Sequence, residues 1–69
     1  MSLADDLSTT TIADTDARIR SIELGAPSPH PRTWRLVDAG MRLAWLAAHG
    51  ARGRGFDLLV RRFRALEAR

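Results

Sequence analysis

The chain has 69 residues and no cysteine, which limits it to one small domain and excludes disulfide bonds and thiolate metal sites. All 11 basic residues are arginine, so the lysine chemistry of Schiff bases and P-loops is excluded as well. The net charge of +3 is uneven: residues 1–26 carry five acidic against two basic side chains (−3), and residues 27–69 carry three against nine (+6). The basic part suits nucleic acid, an acidic protein surface or anionic lipid.

The first two segments are an acidic tail and a short helix. Residues 1–11 are polar and acidic, and we expect them to be flexible. Thr11 can cap a helix that follows it. The segment 12–25 is therefore predicted to be a short amphipathic helix over residues 12–24 that Gly25 closes. Two acid–base pairs at i,i+4 spacing support this helix, Asp14 with Arg18 and Asp16 with Arg20.

A proline-rich linker follows at residues 26–32. Its three prolines favour extended backbone and forbid a continuous helix, so we expect a stiff hinge. Two dipeptides could start the next helix, Ser28-Pro29 and His30-Pro31.

The central helix is predicted over residues 31–49, and it is apolar on nearly every side. On a 3.6-residue turn only four residues form a polar strip: Arg35, Asp38, Arg42 and His49. Such a helix is usually buried on several sides, whereas a chain this short can hide few surfaces. Gly40 costs about 1 kcal/mol relative to alanine inside a helix. It is either tolerated or needed for the close approach of another backbone.

The last helix is predicted over residues 56–69, after a helix stop at His49-Gly50 and a glycine-punctuated turn at residues 51–55. An amphipathic stripe runs along it, and Asp57 and Arg61 have the spacing of an ion pair. We expect its arginines 61, 62, 64 and 69 to face solvent. Residues 33–69 would then form a helical hairpin.

The first candidate site is the surface of the central helix. Tryptophan is enriched at binding hot spots, and a large apolar patch on a small protein often marks an interface. We expect a protein partner, or a second copy of the chain, to be bound by two apolar faces of this helix. One face carries Trp34, Val37, Met41 and Trp45, and the other carries Leu36, Leu43 and Leu46. The alternative is that the tryptophans only pack against Phe56, Leu59 and Phe63 of the last helix.

The second candidate site is basic and would make the protein a small nucleic-acid-binding protein, for example a dimeric regulator. It consists of Arg52, Arg54, Arg61, Arg62 and Arg64. These side chains could neutralise phosphates, although the same residues would equally form a solvated helix face. Without asparagine or glutamine, such binding would depend mainly on backbone charge.

Catalysis is not expected. The only two histidines, His30 and His49, lack nearby cysteines or carboxylates at metal-ligand spacing, so we expect neither a metal nor a cofactor. No segment has the 18 apolar residues of a membrane span, and the N-terminus lacks the pattern of a secretory signal. We therefore expect a cytoplasmic protein. We do not expect contact with a membrane surface.

The predicted fold is all-α. It comprises a short N-terminal helix, a proline hinge and a two-helix hairpin, with the protein oligomeric or docked on a larger partner. A strand over residues 32–37 is the alternative, but the apolar period around them fits a helix better.

Overall fold

The computed structural model describes residues 11–69, which form three helices and no strand: α1 (Ile12–Glu23), α2 (Arg32–Ala48) and α3 (Arg54–Glu67). The all-α prediction is thus confirmed for the described residues. The alternative strand over residues 32–37 is wrong, since these residues lie in the first turns of α2. The predicted acidic tail lies outside the described residues except for Thr11.

Local sequence signals set both ends of α1. The Thr11 side chain accepts a hydrogen bond from the backbone N–H of Asp14 at 3.0 Å, the expected N-cap. Gly25 follows the helix at φ +67°, where it allows the N–H of Ala26 to bond the carbonyl of Ser21 at 3.0 Å. Both predicted ion pairs form, Asp14–Arg18 at 3.1 Å and Asp16–Arg20 at 2.5 Å.

The proline linker fixes the start of α2. Pro31 is the N-cap residue, and its carbonyl accepts the first helical hydrogen bond from the N–H of Arg35 at 3.1 Å. The helix therefore starts just after the His30-Pro31 candidate. The Ser28-Pro29 candidate is wrong, because Ser28 Oγ accepts a hydrogen bond from the His30 N–H at 3.2 Å within the linker.

Glycines separate α2 from α3. The predicted stop after His49 is confirmed: α2 ends at Ala48, and Gly50 takes a left-handed conformation at φ +90°. Gly53, at φ +110°, is the N-cap of α3. As a result α3 begins two residues earlier than the sequence pattern predicts.

The core contains residues of all three helices, and each helix packs against the other two. Six buried apolar residues form it: Ile19 and Ile22 of α1, Ala39 and Leu43 of α2, and Leu59 and Leu66 of α3. Burying an aliphatic side chain stabilises a fold by about 1.5–3 kcal/mol. The short N-terminal helix is therefore an integral part of the core.

Gly40 of α2 lies against the Phe63 ring of α3. A Cβ atom at this position would come within 2.9 Å of the Phe63 ring. The absence of a side chain at Gly40 therefore makes room for Phe63, which packs against the core. The glycine does serve a close approach, but the expectation that another backbone approaches is wrong, because the approaching group is the aromatic ring of Phe63.

The polar strip of α2 faces α1. Arg42 is buried, and its guanidinium bonds Asp14 of α1 at 3.0 Å and Asp38 of its own helix at 3.2 Å. Arg35 donates to Ser21 Oγ at 2.7 Å and to the carbonyl of Ala26 at 3.3 Å. Because α1 covers the polar side of α2, part of the apolar side is left facing solvent.

A second set of ion pairs joins α3 to α1. Arg62 bonds the carboxylates of Asp16 and Glu23, the latter at 2.6 Å. The expectation that Arg62 faces solvent is wrong, because its side chain reaches back to α1. The expected Asp57–Arg61 pair is not among the ion pairs that the described residues form.

Candidate protein-binding surface

An apolar row runs along the solvent side of α2. Its residues follow one another at intervals of three, four, three and four: Trp34, Val37, Met41, Ala44 and Ala48. Trp34 is 49% exposed, Val37 56% and Met41 38%, and both alanines are exposed. This is the spacing with which one helix packs along another in a coiled coil. The row is thus an apolar surface, with the spacing of a helix-packing face, that the described chain leaves uncovered.

A groove between α2 and α3 widens this surface. It is open, encloses about 590 Å³ and is mostly apolar. Its α2 side is formed by Thr33, Leu36, Val37, Gly40, Met41 and Ala44, and its α3 side by Phe63 and Glu67. Glu67 is the single charged residue among the groove residues. A ligand that fills the groove would bury apolar surface with little loss of charge hydration.

The two tryptophans take different positions. Trp34 stacks on the His30 ring at a centroid distance of 4.3 Å, and it also borders a smaller cavity of about 280 Å³ beside the linker. Trp45 stacks on His49 at 4.0 Å and is half-buried. Neither belongs to the core cluster of the described residues. Trp34 thus remains available on the row, whereas Trp45 lies at its edge.

The leucines of the other predicted face hold the chain itself together. Leu43 and Leu46 are buried, and Leu36 packs against the core cluster. A partner could contact Leu43 and Leu46 only if the helices separated. The structure therefore brings Trp34, Val37 and Met41 together on the accessible side, buries Leu43 and Leu46, and leaves Leu36 partly exposed in the groove.

The predicted arginine set is divided between two roles. Arg62 pairs with α1, as described above. The other four members are exposed and form no ion pair within residues 11–69: Arg52, Arg54, Arg61 and Arg64. Arg54 and Arg61 lie on one surface together with Asp57 and Leu58. The carboxylate of Asp57 reduces the positive potential of that surface.

The ion pairs that cross between helices are the feature that sequence reasoning missed. Arg62 lies 39 residues from Glu23 in the chain, so no local spacing indicates the pair. Its hydrogen bonds and charge lower the pKa of the Glu23 carboxyl, and Glu23 and Asp16 in turn raise the pKa of Arg62. The cluster joins α3 to α1, and Asp16 also pairs with Arg20 of its own helix.

The described residues contain no group of three or more His, Asp or Glu side chains that could hold a metal ion. None of the three helices has the length and apolar character that a membrane span requires. No protein-family model, no curated protein and no solved structure matches the chain.

Proposed function

We propose that this protein is a small, non-catalytic interaction module that binds another helix along the apolar row of α2. It would act by self-association or as an accessory subunit of a larger complex in the cytoplasm. The observation that supports this proposal is an uncovered row with coiled-coil spacing on a helix whose other sides are already packed. In this proposal α2 and α3 work as a helical hairpin, and the proline linker is a stiff hinge that holds α1 across the polar strip.

The energetics favour a partner that covers both the row and the groove. The exposed half of Trp34 presents roughly 100 Å² of apolar surface, worth about 2–3 kcal/mol when buried. Association costs on the order of 4–15 kcal/mol in lost translational and rotational freedom. One tryptophan cannot offset that cost, so Val37, Met41 and the groove residues must also be buried.

Two matched charge substitutions test the proposal. Val37 on the row and Leu58 on α3 are equally exposed, at 56% and 55%. Val37→Glu places a charge in the proposed interface, whereas Leu58→Glu adds the same charge elsewhere. We expect Val37→Glu to weaken association tenfold or more, because an unpaired charge would be buried, and Leu58→Glu to leave it unchanged.

The measurement is size-exclusion elution of each variant, both purified and in extract from the source cells, with circular dichroism as the check on folding. Wild type and Leu58→Glu should elute in the same larger species, and Val37→Glu should elute at the monomer volume. Identical elution of all three proteins in both settings would overturn the proposal.

A second candidate function is binding of nucleic acid by the exposed arginines. It is favoured by Arg52, Arg54, Arg61 and Arg64, which have no ion-pair partner in the described part of the chain. Such binding would depend on phosphate neutralisation and would weaken steeply between about 50 and 200 mM salt. Fluorescence anisotropy of a labelled DNA duplex across this range tests it, with Arg61→Gln expected to weaken binding. Arg62→Gln is the comparison variant. Any weakening of binding that it causes should come from a less stable fold, because Arg62 pairs with Asp16 and Glu23 of α1.

A further inference from the structure

We infer that the partner of the apolar row is a second copy of this chain, with the two α2 helices packed antiparallel around a two-fold axis that crosses α2 at the level of residue 39. This inference rests on the proposed function and names its partner.

The sizes of the row residues are complementary in the antiparallel direction. The N-terminal half of the row has large side chains, Trp34 and Val37, and the C-terminal half has the small residues Ala44 and Ala48. The row residues alternate between the a and d positions of a heptad, and in an antiparallel coiled coil each a position of one helix faces a d position of the other. That register places Trp34 opposite Ala44 of the second copy, and Val37 opposite its Met41. A parallel pair would instead oppose Trp34 with Trp34 and leave a gap between the alanines, which loses packing contacts.

The charges around the row favour the same orientation. Glu67 lies beside the groove at the N-terminal end of α2, because Arg32 of α2 donates to the neighbouring Leu66 carbonyl of α3 at 2.8 Å. Arg52 and Arg54 lie beyond the C-terminal end of α2. Among the described residues, Glu67 and these two arginines form no ion pair. An antiparallel dimer brings Glu67 of each copy towards the basic loop of the other, whereas a parallel dimer would place the two basic loops side by side.

The area of the row indicates how far the interface between the two copies must extend. The row runs from Trp34 to Ala48, about 21 Å of helix, and a helix is about 10 Å wide. This strip alone is smaller than the roughly 800 Å² per copy of a standard interface. The groove extends the contact onto α3, so Phe63 and Glu67 become part of the interface. In a dimer with two-fold symmetry, each copy contributes this same combined surface, so the interface is isologous.

Single introduced cysteines test the orientation, since the natural chain has none. In the antiparallel register, Cys at position 34 of one copy faces Cys at position 44 of the other. Two copies of Ala44→Cys are ten residues out of register, about 15 Å along the axis. A disulfide requires Cα atoms within about 7 Å. We therefore expect a mixture of Trp34→Cys and Ala44→Cys to form the mixed disulfide dimer, and Ala44→Cys alone to form little.

A charge exchange gives an independent test that leaves the row intact. Glu67→Arg and Arg52→Glu should each weaken dimerisation severalfold, and the double variant should restore it, because every copy then carries both exchanged charges. Sedimentation velocity measures the dissociation constant for each protein under reducing conditions.

The outcomes separate this inference from the proposed function. Mixed disulfide formation with charge rescue supports the antiparallel dimer. Efficient Ala44→Cys homodimers overturn the antiparallel inference and leave the interaction module in place. A monomer at all concentrations overturns self-association, and the proposed function then falls as well if the extract shows no Val37-dependent complex.

Discussion

Replacing Gly40 with alanine tests the packing of α2 on α3, which positions the proposed binding surface. Two effects oppose each other at this site. Alanine is a better helix former than glycine by about 0.8–1 kcal/mol. The new Cβ atom, however, would lie 2.9 Å from Phe63 Cζ, closer than carbon atoms normally approach.

Overpacking of this kind typically costs about 1–3 kcal/mol. The ring can move somewhat towards the open groove, since Gly40 and Phe63 both line it. We therefore expect Gly40→Ala to leave the free energy of unfolding unchanged or to lower it by up to about 2 kcal/mol. Without the ring contact, the same substitution would raise it by about 1 kcal/mol.

Phe63→Leu supplies the matched background. The three ring atoms nearest to the added Cβ are Cζ, Cε1 and Cε2, all of which leucine lacks. In this background we expect Gly40→Ala to stabilise the fold by about 1 kcal/mol, so the two substitutions should be coupled by about 1–3 kcal/mol.

Urea denaturation followed by circular dichroism measures all four proteins of this cycle. Several protein concentrations are needed, because self-association adds a concentration-dependent stabilisation. An equal gain of about 1 kcal/mol from Gly40→Ala in both backgrounds would refute the proposed contact with Phe63.

Two further predictions concern α1. Thr11→Ala removes the acceptor for the Asp14 N–H and should lower the free energy of unfolding by about 0.5–2 kcal/mol. Thr11→Ser keeps a hydroxyl acceptor and should retain most of the wild-type stability. Urea denaturation measures the free energy of unfolding of both variants. The lowered pKa of Glu23 predicts a stability contribution that is present at pH 7 and is lost as pH falls below about 4, because the unfolded state then binds the proton more readily. The stability difference between wild type and Glu23→Gln should therefore shrink between pH 7 and pH 3, and a constant difference would contradict the Arg62–Glu23 assignment.

Local signals predicted the helices well. The Thr11 cap, the prolines of the linker and Gly25 and Gly50 act within one or two turns of their own positions, so the sequence alone locates most helix ends. The start of α3 was placed two residues late, because the pattern began at Phe56 while the backbone turns at Gly53.

The packing between helices was harder to predict. The helical period groups Trp34, Val37 and Met41 on one face but does not say whether that face is inside or outside. The answer depends on α1, whose Asp14 meets Arg42 and so turns the polar strip of α2 inwards. Arg62 likewise looked like a surface residue, because its partners Asp16 and Glu23 lie far away in the sequence.

Sedimentation velocity of the purified protein over a wide concentration range tests the central claim most directly, with Val37→Glu and Leu58→Glu measured beside wild type. We predict a reversible monomer–dimer equilibrium for wild type and Leu58→Glu, and a monomer for Val37→Glu. A wild type that stays monomeric at every concentration, or a dimer that Val37→Glu leaves intact, would contradict the account.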